Sequence, residues 1–304
     1  MKKTTIKDIA KAADVSIATV SYILNDVKTQ SISDETRVKV LKVAQQLKYV
    51  TNRSAQSLKI KKTGLMGILL FKDAQQSPGS ALKYAKTIYK LEELCRNLGY
   101  HVIFMQLDSA SLSYKVIMER NLDGVFLINA DREKFYAISN QFGFGIPVFV
   151  IDSYIEDSLF HKIMPNFGQG FAAAQTVLGQ APEFLVMDAY NNTELREVIK
   201  QQSGLDEDRI YVYENRDGMQ AFLSKFAGKP GIVINEFLAN EAWKTHKNLV
   251  ACCTSHCEEL FPDDMMKISF NLNDYTEVVN MMDSYINDAA YVKEEKFFLL
   301  TATS

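Results

Sequence analysis

Over the first fifty residues, apolar positions recur at helical spacing in three short blocks. Ile6, Ile9, Ala10 and Ala13 share one face of the first block, and Val20, Ile23 and Leu24 one face of the second. Val38, Leu41, Val43, Ala44 and Leu47 form the stripe of the third. Each block follows a residue suited to a helix start: Thr5 with Asp8 three positions on, Ser16, and Ser33 with Asp34 and Glu35 in the first turn. Asp14-Val15 supplies the turn between the first two helices. Beyond Asn52 the chain is polar except for Ala55 and Leu58, spaced i, i+3, and the lysine-rich run to Gly64 has the texture of a linker.

From Gly64 the pattern changes. Gly64–Phe71 is a short apolar run without alternation, as expected of a strand buried on both faces. A helical stretch ending at Gly99 follows, then strands over Tyr100–Leu107, Gly124–Asn129 and Pro147–Ile151, and a helix after Gly170. Further strands are expected at Glu183–Met187, Arg209–Tyr213, Gly231–Asn235, Leu249–Cys253 and Lys296–Ala302. The helices between them cover Thr193–Gln202, Gly218–Phe226, a segment around Trp243, and Tyr275–Ile286. Alternation at this spacing predicts an α/β body of parallel sheets covered by helices. About 240 residues exceed what one such sheet usually needs, so two lobes are expected.

Charge changes the picture because it is unevenly distributed. Residues 1–63 hold eleven lysines and two arginines against five acidic residues, a net of +8, while the whole chain carries −3. The body is therefore acidic, and a basic head on an acidic body is the footprint of nucleic-acid binding at one end. No apolar run is long enough to span a bilayer, and no export signal is recognised at the N-terminus, so a cytoplasmic, nucleoid-associated protein is expected. Cys252, Cys253, His256 and Cys257 lie close together, but Cys252 and Cys253 end an apolar strand where neighbours face opposite ways. Buried thiols are expected rather than a metal site, and no cofactor is implied. A phosphate-cradling loop, a nucleophile elbow and an acid–base constellation are all missing, which argues against an enzyme.

In a helix-turn-helix, the second helix enters the major groove and presents its N-terminal turns to base edges. With Val20, Ile23 and Leu24 buried, the opposite face carries Ile17, Ala18, Ser21 and Tyr22, while Thr19, Ser21 and Asn25 are short donors suited to phosphates. Thr4–Asn25, read as TTIKDIAKAADVSIATVSYILN, closely resembles the head of the lactose/galactose repressor (LacI/GalR) family. SDETRVKV resembles the family's third helix and NRSAQSL its Asn-x-x-Ala-x-x-Leu hinge. Weaker likeness continues through KKTGLMGILL, LDGVFLI, GIPVFVID and NFGQG.

The resemblance implies a helix-turn-helix head at 1–50, a hinge helix and linker at 51–63, and a two-lobed, periplasmic-binding-protein-like body at 64–304. Its N-lobe would cover about 64–164 plus 274–298, and its C-lobe about 165–273 plus 299–304. The implied protein is a homodimeric repressor on a palindromic double-stranded DNA operator. Ile17, Ala18 and Tyr22 sit where the family reads bases. Ser16, Thr19, Ser21, Asn25 and Asn52 sit at backbone-contacting positions, and Thr5 and Ala55 join the DNA-contacting set. Leu58 occupies the position of a leucine that wedges into the central base step. Tyr22 replaces the usual Arg, removing a bidentate grip on guanine, and Thr51 replaces a common proline.

In the body, ligands of such sheets sit beyond the carboxyl ends of strands. Lys72, Asp73, Asp152, Arg196, Asn235 and Glu236 are the candidate effector-binding residues. Ser77-Pro78-Gly79-Ser80 stands where the family has Asn-Pro-Phe-Phe, and Thr254-Ser255-His256-Cys257 where it usually has an acidic loop. Loss of those aromatics and carboxylate predicts poor binding of neutral sugars. Two kinds of regulator remain open: a small-molecule effector, an anionic sugar derivative among the options, or a protein corepressor acting on a chain with a vestigial or non-sugar cleft.

Overall fold

The computed structural model describes residues 5–24, 32–47, 49, 62–74, 77–107, 121–139, 145–288 and 290–303. Asn25, Thr51, Asn52, Ala55 and Leu58, and with them the hinge expectations, lie outside the described residues.

Among the described residues of the head, three helices form: α1 (Ile6–Ala13), α2 (Ile17–Leu24) and α3 (Asp34–Gln46). Their starts follow the capping chemistry in the sequence. The Asp8 carboxylate accepts the Thr5 N–H at 2.8 Å, Ser16 Oγ accepts Thr19 N–H at 2.9 Å, and Ser33 Oγ accepts Thr36 N–H at 3.3 Å. Asp14 ends α1 in the left-handed conformation, φ 51°, which Asp tolerates better than most residues. Ile9, Ala10, Ala13, Val20, Ile23, Leu24, Val40 and Ala44 close one small core. Val40 falls outside the stripe expected for α3, yet it is fully buried in that core.

The described residues of the body form two six-stranded sheets. The N-lobe sheet has β1 (Leu65–Phe71), β2 (His101–Leu107), β3 (Gly124–Ile128), β4 (Val148–Ile151), β5 (His161–Pro165) and β11 (Phe297–Leu300), in the order β11-β5-β4-β3-β1-β2, all parallel. The C-lobe sheet has β6 (Phe184–Met187), β7 (Ile210–Val212), β8 (Gly231–Ile234), β9 (Leu249–Cys253), β10 (Met266–Phe270) and β12 (Ala302–Thr303), in the order β12-β10-β9-β8-β6-β7. Its edge strand β12 runs antiparallel to β10, a departure from the all-parallel expectation.

Helices cover both sheets: α4 (Ala85–Asn97), α5 (Arg132–Ser139), α6 (Phe167–Leu178), α7 (Thr193–Ser203), α8 (Arg216–Lys225), α9 (Glu236–Trp243) and α10 (Tyr275–Asn287). The final apolar run divides at Thr301. Leu299 and Leu300 pair with Met164 and Pro165 in the N-lobe sheet, rather than joining the C-lobe as expected, and only Ala302–Thr303 crosses over. Helix α5 and strands β5 and β10 have no counterpart in the expected element list, since their short segments carry polar interruptions such as Lys162 and Lys267. Cys252 and Cys253 enter different cores, as opposite faces of one strand require.

Candidate functional site

Among the described residues two places carry chemistry, one on the head and one between the lobes. On the head, burial of Val20, Ile23 and Leu24 turns the start of α2 outward. Ile17 is 49% exposed at the start of this helix. Thr5, Ser16 and Ala18 are exposed, and Thr19, Ser21 and Tyr22 are half-buried. The hydroxyls of Ser16 and Thr19 pair at 2.8 Å, so the cap and its neighbour form one small polar unit at the helix start. A capped N-terminus with apolar and short polar side chains beside it is the geometry that meets a phosphate backbone and base edges.

Between the lobes, strand ends converge as open α/β sheets require. The residues directly following β3, β4 and β8 are Asn129, Asp152 and Asn235, all buried and all at positive φ, 59°, 50° and 86°. Asn and Asp tolerate the left-handed region better than most residues, and Asn235, at φ 86° and ψ 128°, is the strained one of the three. They belong to a polar chain that crosses the cleft. Asn129 Nδ2 donates to Asp73 Oδ1 at 2.7 Å, and Lys83 Nζ lies 3.9 Å from that same oxygen. Lys83 Nζ is also 3.0 Å from Asp188 Oδ2, which accepts Asn235 Nδ2 at 2.9 Å.

Lys83 is the centre of this arrangement and is only 1% exposed. Burial alone would lower its pKa, but Asp188, Asp73 and Asp152 together raise it, so it is charged at neutral pH. Its ammonium sits 3.9 Å from the centre of the Tyr190 ring and 5.1 Å from that of Tyr84, within cation–π range. Burial pushes the Asp152 carboxyl up to about 6 against the pull of Lys83, and it raises Asp73 as well.

The turn carrying Lys83 reaches across to the other lobe. Gly79, at φ +71°, packs so closely on the Phe237 ring of α9 that a Cβ there would lie 2.1 Å from ring carbon Cγ. Glycine is required twice over, by its conformation and by that ring. Asn191 and Asn192, just before α7, add a latch. Asn191 donates to Lys72 O at 2.8 Å and Asn129 O at 3.0 Å, and its Oδ1 accepts Ala74 N–H at 2.8 Å. Asn192 Oδ1 accepts Tyr154 N–H at 3.0 Å and Leu195 N–H at 2.7 Å. The lobes are closed onto each other through these contacts.

Of the candidate effector residues, the structure brings Asp73, Asp152 and Asn235 together around Lys83. Lys72 is exposed and contributes its carbonyl to the latch. Arg196 lies along α7, its Nη2 donating to Thr193 Oγ1 at 3.0 Å. Glu236 is fully buried but turned into its own loop, where it accepts the N–H groups of Ser255 and Cys257 at 2.9 Å each. Its carboxylate approaches the Cys253 thiol and the Glu258 carboxylate closely enough to resemble a metal cluster. The two backbone donors account for it without an ion, and burial raises the Cys253 thiol far above the range in which a thiolate forms. Asn129, Asp188, Tyr190, Asn191, Asn192 and Lys83 are the site residues that sequence reasoning missed.

A capped helix-turn-helix thus stands ahead of two sheets, one parallel throughout and one parallel except for its edge strand β12. Residues 5–52 match the family model described as "Bacterial regulatory proteins, lacI family", which makes the head a lacI-family helix-turn-helix. The HTH-type transcriptional repressor PurR of Photobacterium profundum is 29% identical over 170 residues, covering 55% of this chain and 48% of that protein. The chain thus spans about half the length of the curated relatives it matches. A solved lac repressor dimer, bound to operator and the anti-inducer ONPF, superposes with TM-score 0.62 at 15% identity, covering 100% of this chain and 98% of that one. A LacI family regulator from Enterococcus faecium with bound ribose gives TM-score 0.59 at 14% identity, covering 79% and 97%. At these identities the likeness establishes the fold, and the sequence resemblance to the LacI/GalR family is borne out.

Proposed function

We propose that this chain is a sequence-specific DNA-binding transcriptional regulator, a repressor that grips a palindromic operator as a homodimer. One observation carries the reading: the capped α2 helix, with Ile17 and Ala18 exposed at its start, sits within a stretch of net charge +8. The repressor names of the matched relatives support it, as does the operator-bound dimer among the structural neighbours. Residues 1–50 act as the head, 51–63 as hinge and linker, and 64–304 as the regulatory body. Within the head, Thr5, Ser16, Thr19 and Ser21 hold phosphates, while Ile17, Ala18 and Tyr22 face bases. The test is selection of bound sequences from random duplex DNA, followed by a salt titration on the enriched site. A palindromic consensus whose affinity falls steeply with salt is the expected result. Recovery of no consensus, or equal binding by a chain starting at Gly64, would overturn it.

A second reading concerns the body, and Lys83 favours it. In a protein regulated by a sugar, the cleft would receive the sugar. Here its carboxylates already face a buried lysine of the same chain. The cleft is therefore a non-sugar site, and control of DNA binding falls to another partner, a protein corepressor being the alternative. Calorimetry against a panel of neutral and phosphorylated sugars tests this. Micromolar binding by any of them, with a change in operator affinity, would restore the sugar-effector reading.

A further inference from the structure

We infer that the inter-lobe cleft is an ammonium site that the chain occupies with its own Lys83, so that the lobes close without a small-molecule effector. Once that side chain is removed, the cleft takes small alkylammonium ions.

Three independent features point the same way. Asp188 and Asp73 flank the Lys83 nitrogen from opposite lobes, at 3.0 and 3.9 Å, and Asp152 lies close enough to act on its charge. The Tyr190 ring lies under the nitrogen at 3.9 Å, with Tyr84 on another side at 5.1 Å. Carboxylates together with aromatic faces are the chemistry that recognises a desolvated ammonium. In addition, the buried hydroxyls of Tyr84 and Tyr190 turn to partners of the same chain, Tyr84 to Asp152 and Tyr190 to Thr254. Hydroxyls engaged in this way leave the ring faces to a cation and offer little to a polyol.

The arrangement also explains why the lobes are shut. A bound ligand ordinarily bridges the halves of such a body and shifts it toward the closed form. Here the bridge is covalently part of the N-lobe, and its partner Asp188 follows β6 of the C-lobe. The turn carrying it is pinned by Gly79 against Phe237, and the Asn191–Asn192 latch forms alongside. An anionic ligand, by contrast, would meet three carboxylates.

Lys83→Ala removes three methylene carbons and the ammonium nitrogen, the skeleton of n-propylammonium. The full-length Lys83→Ala chain should melt at lower temperature than the parent. n-Propylammonium chloride should restore much of that loss, while 1-propanol, propionate and potassium chloride at matched ionic strength should not. The unmodified protein should not respond. Equal responses of both proteins to n-propylammonium, or no response beyond that of potassium chloride, would overturn the inference. Should the alanine variant fail to fold, Lys83→Met keeps an unbranched apolar stem of nearly the same length and removes the ammonium group. Amide hydrogen exchange at Ala74 and at Tyr190–Asn192 should then accelerate by roughly tenfold or more as the latch loosens. Unchanged exchange there would equally overturn it. The inference rests on the reading of the cleft as closed to sugars, but neither measurement contains DNA, so failure of the DNA-binding reading would leave both unaffected.

Discussion

Asp188 Oδ2 stands between two partners, Lys83 Nζ of the opposite lobe at 3.0 Å and Asn235 Nδ2 of its own lobe at 2.9 Å. One carboxylate thus ties the inter-lobe ion pair to the strained end of β8. Both members of the pair are buried, so removing one leaves the other charged and unsolvated. Each of Lys83→Met and Asp188→Asn should destabilise the body by about 3–5 kcal/mol. The double variant should lose clearly less than the sum, because it leaves no orphaned charge. Chemical unfolding of the four proteins measures the coupling. Additive losses would mean that the pair does not act as a unit.

Asn192 does more than cap a helix. Its Oδ1 holds Leu195 N–H of α7 and Tyr154 N–H of the other lobe, and its Nδ2 reaches Ala130 O at 3.4 Å. Asn166 is a useful comparison, since it caps α6 through one bond to Gln169 N–H at 3.1 Å. Asn166→Ala should cost about 1 kcal/mol, the ordinary value for a lost cap. Asn192→Ala should cost about 2–3 kcal/mol, because buried groups on both lobes lose their partner. Thermal unfolding compares them, and equal losses would reduce Asn192 to a cap.

Acid stability should reveal two opposed groups. His161 is buried against the rings of Phe149 and Tyr285, and burial, then Lys296, Lys162 and Lys293, lowers its pKa to about 3. Below the unfolded value of 6.5 the unfolded chain binds a proton that the folded one refuses. Stability is therefore lost by about 1.4 kcal/mol per pH unit as pH falls from about 6.5 toward 3. Asp152 acts in the other direction. Its folded pKa of about 6 exceeds the unfolded 3.8, so the folded state takes up a proton first and gains stability as pH falls from about 6 to 4. His161→Gln should consequently lose less stability between pH 7 and 4 than the parent, and Asp152→Asn should lose more. Parallel unfolding curves for all three proteins across that range would contradict both assignments.

The head and the cleft differ in how much of them can be read from residues alone. Caps such as Thr5, Ser16 and Ser33 act over three residues, so their partners lie within the same short window, and the head follows almost entirely from it. In the body, Asp152 and Asn235 are legible because they end apolar strands. The same rule reaches Asn129 and Asp188, which occupy equivalent places after β3 and β6, but it ranks them no higher than any loop residue. Lys83 carries no local signal at all. It lies at the edge of a helical pattern, where a lysine ordinarily extends into solvent, and its burial depends on carboxylates ten and more than a hundred positions away. Arg196 attracts attention by its charge, yet the helix that carries it directs its guanidinium to Thr193.

The recognition surface yields the last prediction. Ile17 and Ala18 are exposed at the start of α2 and Tyr22 is half-buried one turn on. Two apolar side chains and a phenol offer contacts to thymine methyl groups, and none of the three can donate two parallel hydrogen bonds to guanine O6 and N7. Their half-site should therefore favour thymine where an arginine at position 22 would favour guanine. Tyr22 is not part of the buried set that holds the head together, which comprises Val20, Ile23 and Leu24 on this helix. Substitution should leave the three-helix core intact. Tyr22→Arg should move base preference toward guanine at one position per half-site by about 1–3 kcal/mol, the value of a good bidentate pair, while phosphate contacts at Ser16 and Thr19 keep the register. Parallel selections from random duplex DNA with the two proteins measure the shift. An identical consensus from both would mean that residue 22 does not face the bases, and that sequence is read by Ile17 and Ala18 alone.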